Sequence, residues 1–141
     1  MKSSNLTYLQ QFKSQFSPAG YQFVLLDNQG IIVESCHTLF NLTFYQGLSA
    51  FTFIPFLESI QETLLKLSVA DQPLYFPRLD IPFFSHHHIY DFTFQRFSPS
   101  DDASFIAWVI KDNTIQYHYL RQVQQERNLA IVKSERSRLN G

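Results

Sequence analysis

Cysteine, glycine, net charge and long apolar runs are all scarce in this chain, and each shortage removes a class of function. A single cysteine, Cys36, stands among 141 residues, so no internal disulfide framework can form and a cysteine zinc cluster cannot be built. This usage fits a reducing compartment. Only four glycines are present, and none sits in a phosphate-cradling loop; a paired Ser/His/Asp order and a metalloprotease motif are missing as well. Eleven basic and twelve acidic side chains leave a formal charge of -1. With no Lys/Arg block before the last third, the electrostatic footprint of a nucleic-acid or anionic-membrane binder is absent. No stretch approaches the roughly 18 apolar residues of a membrane span, and the Met-Lys-Ser-Ser-Asn-Leu-Thr-Tyr start lacks the apolar run of a signal peptide. A soluble, cytoplasmic piece without direct membrane insertion is expected, although a larger parent could still be membrane-bound. Internal repeats and low-complexity tracts are not seen.

What the chain does hold is aromatic: 15 Phe and 7 Tyr in a sequence that is 45% hydrophobic. Its length suits one domain plus an appended element, large enough to bury a core without staples. The interior should therefore be unusually aromatic, with room for a pocket.

Residues 5 to 16 place Leu6, Leu9, Phe12 and Phe16 at helical spacings. Ser17-Pro18-Ala19-Gly20 stops this short amphipathic helix, which either caps its own domain or contacts a second copy. Tyr21 to Leu26 and Ile31 to Val33 form a hairpin about the Asp27-Asn28-Gln29-Gly30 turn. Cys36 to Leu42 reads as a short helix, followed by a loop through Gly47. Pro55 suits a first helical turn, and Leu57, Ile60, Leu64 and Leu67 then lay a leucine-rich stripe along one main helix over Phe56 to Val69. Leu74 to Phe84 looks extended, yet Pro77 and Pro82 cannot donate to a ladder, which sends this strand to a sheet edge. His86-His87-His88 turns the chain. Ile89 to Phe97 alternates Tyr90, Phe92 and Phe94 with Asp91, Thr93 and Gln95, as a half-buried strand does. After a Ser98 to Asp102 loop, Phe105 to Ile110 is apolar on both faces and reads as a central strand. Asp112-Asn113-Thr114 then leads directly into a polar helix of about 27 residues, roughly 40 Å long.

Strands at both ends with helices between them predict an α+β domain: a five-stranded antiparallel sheet with helices on one face, an N-terminal amphipathic helix and a long C-terminal helix. This order and these lengths resemble the PAS domain, whose second and third strands lie at the two sheet edges. The resemblance rests on Gly30 followed by Leu39-Phe40 and Gly47, on Phe56-Leu57-Glu58-Ser59-Ile60 opening a helix, and on Asp112-Asn113-Thr114 leading to Tyr117, Leu120 and Gln124-Gln125-Glu126-Arg127-Asn128. The last group is similar to the Asp-x-Thr exit and signalling helix of bacterial PAS sensor proteins. It covers roughly residues 18 to 135 and implies a division into a flanking helix at 1–17, a PAS-like domain at 18–112 and a signalling, coiled-coil helix at 113–141.

Asp112 or Thr114 can cap the exit helix and fix its direction to the last strand; with Tyr117 and Leu120 they are the candidate signal-transfer residues. Tyr117, Leu120, Gln124, Arg127 and Ile131 give one a/d register with two polar seam positions, a marginal coiled coil suited to a switchable linker. The same helix could instead fold against its own domain. Tyr90, Phe92, Phe94, Phe105 and Trp108 are candidates either for plain core or for lining a cavity that takes a small apolar ligand. Of the histidine cluster, at most His86 and His88 converge, which makes a poor metal site, and no metal is expected. Flavin-binding relatives carry a reactive cysteine in an Asn-Cys-Arg-type motif that Cys36 lacks. Haem-binding relatives need a pocket-helix histidine, and the helix over 56 to 69 has none. No known cofactor is therefore expected.

The resemblance implies a non-catalytic sensory or regulatory module of a bacterial signal-transduction protein, such as the sensor histidine kinase of a two-component system. It would form a homodimer through its terminal helices and relay a signal to a downstream effector domain in the same polypeptide. The rivals are a small-molecule-binding α+β enzyme, which would use Asp80, Asp91 and the histidines, and a pure dimerisation scaffold with a filled core.

Overall fold

The computed structural model describes Tyr8, Leu9 and residues 20–84 and 87–140. Most of the expected N-terminal helix, its Ser17-Pro18-Ala19 stop, and His86 of the histidine cluster lie outside the described residues.

Five strands form one antiparallel sheet: β1 (Tyr21–Leu26), β2 (Ile32–Ser35), β3 (Leu74–Leu79), β4 (Tyr90–Ser100) and β5 (Ala103–Asp112), ordered β2-β1-β5-β4-β3. The two-sided apolar strand β5 is central, and the proline-bearing β3 is an edge, as their residue patterns predict. Between β2 and β3 lie a 3-10 turn at Thr43–Tyr45 and three short helices, α1 (Ala50–Phe53), α2 (Pro55–Ser59) and α3 (Gln61–Leu65); α4 (Thr114–Asn140) follows β5.

Several expected boundaries move. The single helix expected over 56 to 69 is two short ones, interrupted at Ile60, whose backbone (φ -111°, ψ 11°) leaves the helical region. Its apolar stripe survives the break, since Leu57 and Leu64 are fully buried. The helix α1 ends before it, because Pro55 forces the preceding Ile54 into an extended conformation (φ -121°, ψ 101°). The expected helix over Cys36 to Leu42 is instead an irregular loop. There His37 turns to φ 55° and its Nδ1 accepts the Leu42 backbone N–H at 2.9 Å. Strand β3 stops at Leu79, and Pro82 falls in a turn closed by Phe84 N–H to Ile81 O. The loop expected at Ser98 to Asp102 shrinks to Asp101-Asp102, because β4 and β5 pair out to Ser100 and Ala103.

Alternation along each strand sorts side chains between the two faces. Val24, Leu26, Phe92, Phe94, Ile106, Trp108 and Ile110 meet the helices in the main core, with Phe51, Ile54, Leu57 and Leu64. On the other face Leu9 packs against Phe23, Leu25, Ala107 and Val109, and the Tyr8 ring lies 5.3 Å from that of Phe105. These two N-terminal residues thus cover their own sheet. Buried Gln22 fixes the loop after β2: its amide donates to Ser35 Oγ and Phe40 O, and its carbonyl accepts the Leu39 and Phe40 backbone N–H groups. Arg96 ties β4 to α3 by donating to the Leu67 and Leu65 carbonyls.

Candidate functional site

The root of α4 is where the sheet and the exit helix meet, and an aspartate from β4 sits at its centre. Asp91 occupies the polar slot between inward-facing Tyr90 and Phe92, yet it is only 5% exposed. Its Oδ2 accepts the Tyr75 hydroxyl at 2.7 Å and the Asn113 side-chain amide. Its Oδ1 accepts the Tyr117 hydroxyl at 2.8 Å and the Arg78 backbone N–H at 3.1 Å. One carboxylate therefore gathers β3, β4, the residue that joins β5 to α4, and the first turn of α4.

Burial pushes the Asp91 carboxyl up, but hydrogen bonds from Tyr75, Tyr117, the Arg78 backbone and Asn113 outweigh it and hold the group below the usual carboxylate range. The partners respond in the opposite sense. Tyr75 is raised far above an ordinary phenol, first by its bond to Asp91 and then by burial. Tyr117 is raised by burial and then by the same aspartate. The Arg78 guanidinium does not pair with Asp91; it lies 5.1 Å from the centroid of the Tyr117 ring, a cation–π contact between the edge of the sheet and the helix.

Asp112 makes the second tie. Its Oδ1 accepts the Thr114 backbone N–H at 3.0 Å and the Thr114 hydroxyl at 2.5 Å, while its Oδ2 lies 2.9 Å from His88 Nδ1. Thr114 Oγ1 in turn accepts the Ile89 N–H at 2.9 Å. Burial raises the Asp112 carboxyl, and the Thr114 bonds and His88 bring it below its ordinary value. The Asn113 N–H donates to Ile89 O, and the Tyr117 N–H donates to Asn113 O to open the helix. The side chain of Asp112 thus satisfies the first helical N–H group, which would otherwise be orphaned.

Of the residues singled out in the sequence, Asp112, Thr114 and Tyr117 converge here, and Leu120 stands one turn further out on the wall of a cleft. Sequence reasoning missed Tyr75 and Arg78, named Asn113 only as the middle of the exit tripeptide and His88 only as part of a poor metal site, and gave Asp91 no part in the exit. Among the aromatic candidates, Tyr90, Phe92, Phe94 and Trp108 share the helix-covered core, whereas Phe105 is on the opposite face beside Tyr8. The space next to them is filled by Phe84, which stacks on Phe40 at 4.0 Å and lies 6.1 Å from Trp108. Trp108 Nε1 is buried without a hydrogen-bond partner. Cys36 is half-buried, and its Sγ lies 3.0 Å from Thr38 Oγ1.

Chemically, the root is an acceptor hub. Both oxygens of Asp91 are occupied by donors, which suits it to fix geometry rather than to take a proton from a substrate. Among the described residues no group of three or more His, Cys, Asp or Glu side chains is assembled, and no helix is long and apolar enough to cross a membrane.

No protein-family model matches the sequence, and no curated protein is similar to it in sequence. Among solved structures the chain is similar to the crystal structure of the PAS domain of an HTR-like protein from Haloarcula marismortui. The TM-score is 0.52 and the identity 21%, over 72% of this chain and 88% of that one. With its β2-β1-β5-β4-β3 antiparallel sheet, inserted helices and C-terminal helix, this chain has the α+β PAS fold.

Proposed function

We propose that the chain is a non-catalytic sensory module of a signal-transduction protein, such as a sensor histidine kinase in a two-component system. It pairs with a second copy through its terminal helices and relays the state of its sheet through α4 to an effector domain in the same cytoplasmic polypeptide. The observation that carries this reading is the Asp91 hub, which ties β3 and β4 to the β5–α4 junction and the helix root through one group. A change at any of those strands alters the support of α4. Relay is then a shift between two helix arrangements, and the signal must favour one of them.

Pairing is supported by the helix itself. From His118 to Leu139 every residue except Val123 is exposed, including Tyr119, Leu120, Leu129, Ile131 and Val132. An apolar series of that length on a helix that does not lie on its own domain calls for a partner surface. The fold of the similar solved structure, a PAS domain, agrees with a sensory role.

Light-scattering sizing of the full chain and of a version ending at Asn113 tests the reading. A dimer for the first and a monomer for the second is the expected result; two monomers would remove α4 as the pairing element. The filled aromatic core around Phe84 favours one alternative, a dimerisation scaffold that senses nothing in its interior. Native mass spectrometry and absorbance separate the two, because a co-purifying small molecule is inconsistent with the scaffold.

A further inference from the structure

Beside the hub, between the end of β3 and the first two turns of α4, lies a cleft of about 200 Å³ lined by Arg78, Tyr117, His118, Arg121 and Gln124 among others. Two arginines and a histidine line this space, and no carboxylate residue does. The only ion pair among the described residues is His88 with Asp112, so neither arginine is neutralised by a described acid.

The position of Arg78 is unusual for its backbone. It has φ 57°, a left-handed conformation that disfavours a residue with a Cβ, and it sits in the irregularity of β3 between Phe76 and Leu79. Bulges re-aim side chains, and a strained residue persists only where its surroundings hold it. Here Asp91 holds it by accepting the Arg78 N–H, and the guanidinium is carried off the strand towards α4. Arg121 reaches the same cleft from the second turn of the helix, and Gln124 adds a neutral amide one turn further on.

We propose that this cleft binds a compact oxyanion, the phosphate or carboxylate group of a small metabolite, between Arg78 on the sheet and Arg121 on the helix. The guanidinium fork matches the geometry of such groups. Asp91 lies nearby and opposes an anion, but both its oxygens are occupied by four donors. Asp112 is occupied by Thr114 and His88. The bound anion clamps the second turn of α4 to the sheet edge, and this holds whether or not α4 pairs with another copy. Effector binding is thereby placed at the helix root, outside the aromatic core.

Titration of the isotopically labelled full chain with inorganic phosphate, and separately with succinate, at ionic strength held constant with sodium chloride, tests the site by amide NMR. Saturable shifts at Tyr117, His118 and Arg121 are expected with at least one anion. Saturation by phosphate alone assigns a phosphate-bearing ligand, and by succinate alone a carboxylate. Affinity should fall at least tenfold in Arg121→Gln and stay within twofold in Arg136→Gln, a change that removes the same charge from an exposed position further along the helix. Linear, unsaturable shifts with both anions, or equal losses in the two variants, reduce the effect to general screening and overturn the proposal.

Discussion

The Tyr117 hydroxyl donates to Asp91 Oδ1 at 2.8 Å across 26 residues of sequence, so α4 is fastened to β4 by a side chain as well as by its own backbone. Asp91→Asn places an amide nitrogen where one of two oxygens now accepts, leaving part-buried donors without an acceptor. The expected loss is about 1–3 kcal/mol, and Tyr117→Phe should lose about 1 kcal/mol. Urea unfolding followed by the emission of Trp108, the chain's one tryptophan, measures both. The double variant should fall short of the sum of the singles by at least about 0.5 kcal/mol; strict additivity would mean that the two groups act independently.

Two carboxylates and three phenols give the stability a defined pH range. Asp91 and Asp112 are held below the ordinary carboxylate value, so their contribution is present above their unfolded pKa of about 3.9 and is lost as pH falls through the lower folded values. Burial, followed by the charges of Asp112 and Asp80, pushes Tyr90 up to about 12, and Tyr75 and Tyr117 are raised too. Their neutral forms favour the fold fully below an unfolded pKa of about 10, and that contribution is lost as pH rises through the folded values. A melting-temperature profile should therefore drop at both ends, and Asp91→Asn should flatten the acid limb. An acid limb identical in the variant would show that Asp91 does not titrate as part of the hub.

The parts of this architecture legible in the sequence are those set by near neighbours. Asp27 and Gly30 announce the first hairpin, Pro77 the edge strand, the two-sided apolar run at Phe105 to Ile110 the central strand, and Asp112 with Thr114 the start of the long helix. Asp91 was legible as a polar residue alternating with Phe92, like Thr93 and Gln95, and as an ionisable group for the rival enzyme, but not as part of the helix exit. Its burial depends on Tyr75 and Tyr117, which are 16 and 26 residues away. Arg78 gave no signal because its orientation comes from a bulge, which local pattern does not show. The grouping of Phe105 with Trp108 failed for a simpler reason. Residues three apart on a strand point to opposite faces, so apolar character alone could not make them neighbours.

Gly30 combines a left-handed backbone, φ +80°, with a ring pressed against it: an added Cβ would lie 2.2 Å from Phe51 Cε2. Gly30→Ala should therefore cost at least about 2 kcal/mol, from both backbone strain and overpacking. Gly20 has a similar φ of +78° with open space around it, so Gly20→Ala should cost only about 1 kcal/mol, the backbone part. Paired denaturation curves give the difference; equal costs would mean that Phe51 moves aside freely.

Phe84 fills the space between Phe40, Tyr90, Phe92 and Trp108. Phe84→Ala should destabilise the domain by about 3 kcal/mol and leave an aromatic-lined void. Adding indole should restore part of the lost melting temperature in the variant and leave the unaltered chain unchanged. A loss under about 1 kcal/mol would show that the neighbouring rings close over the gap.

The outward course of α4 has a geometric consequence. A 27-residue helix extends roughly 40 Å, so a tilt of about 5° at Thr114 carries its far end sideways by about 3.5 Å. Side-chain adjustments at the root too small to disturb the sheet are thus magnified with distance, and the far end of the helix moves most.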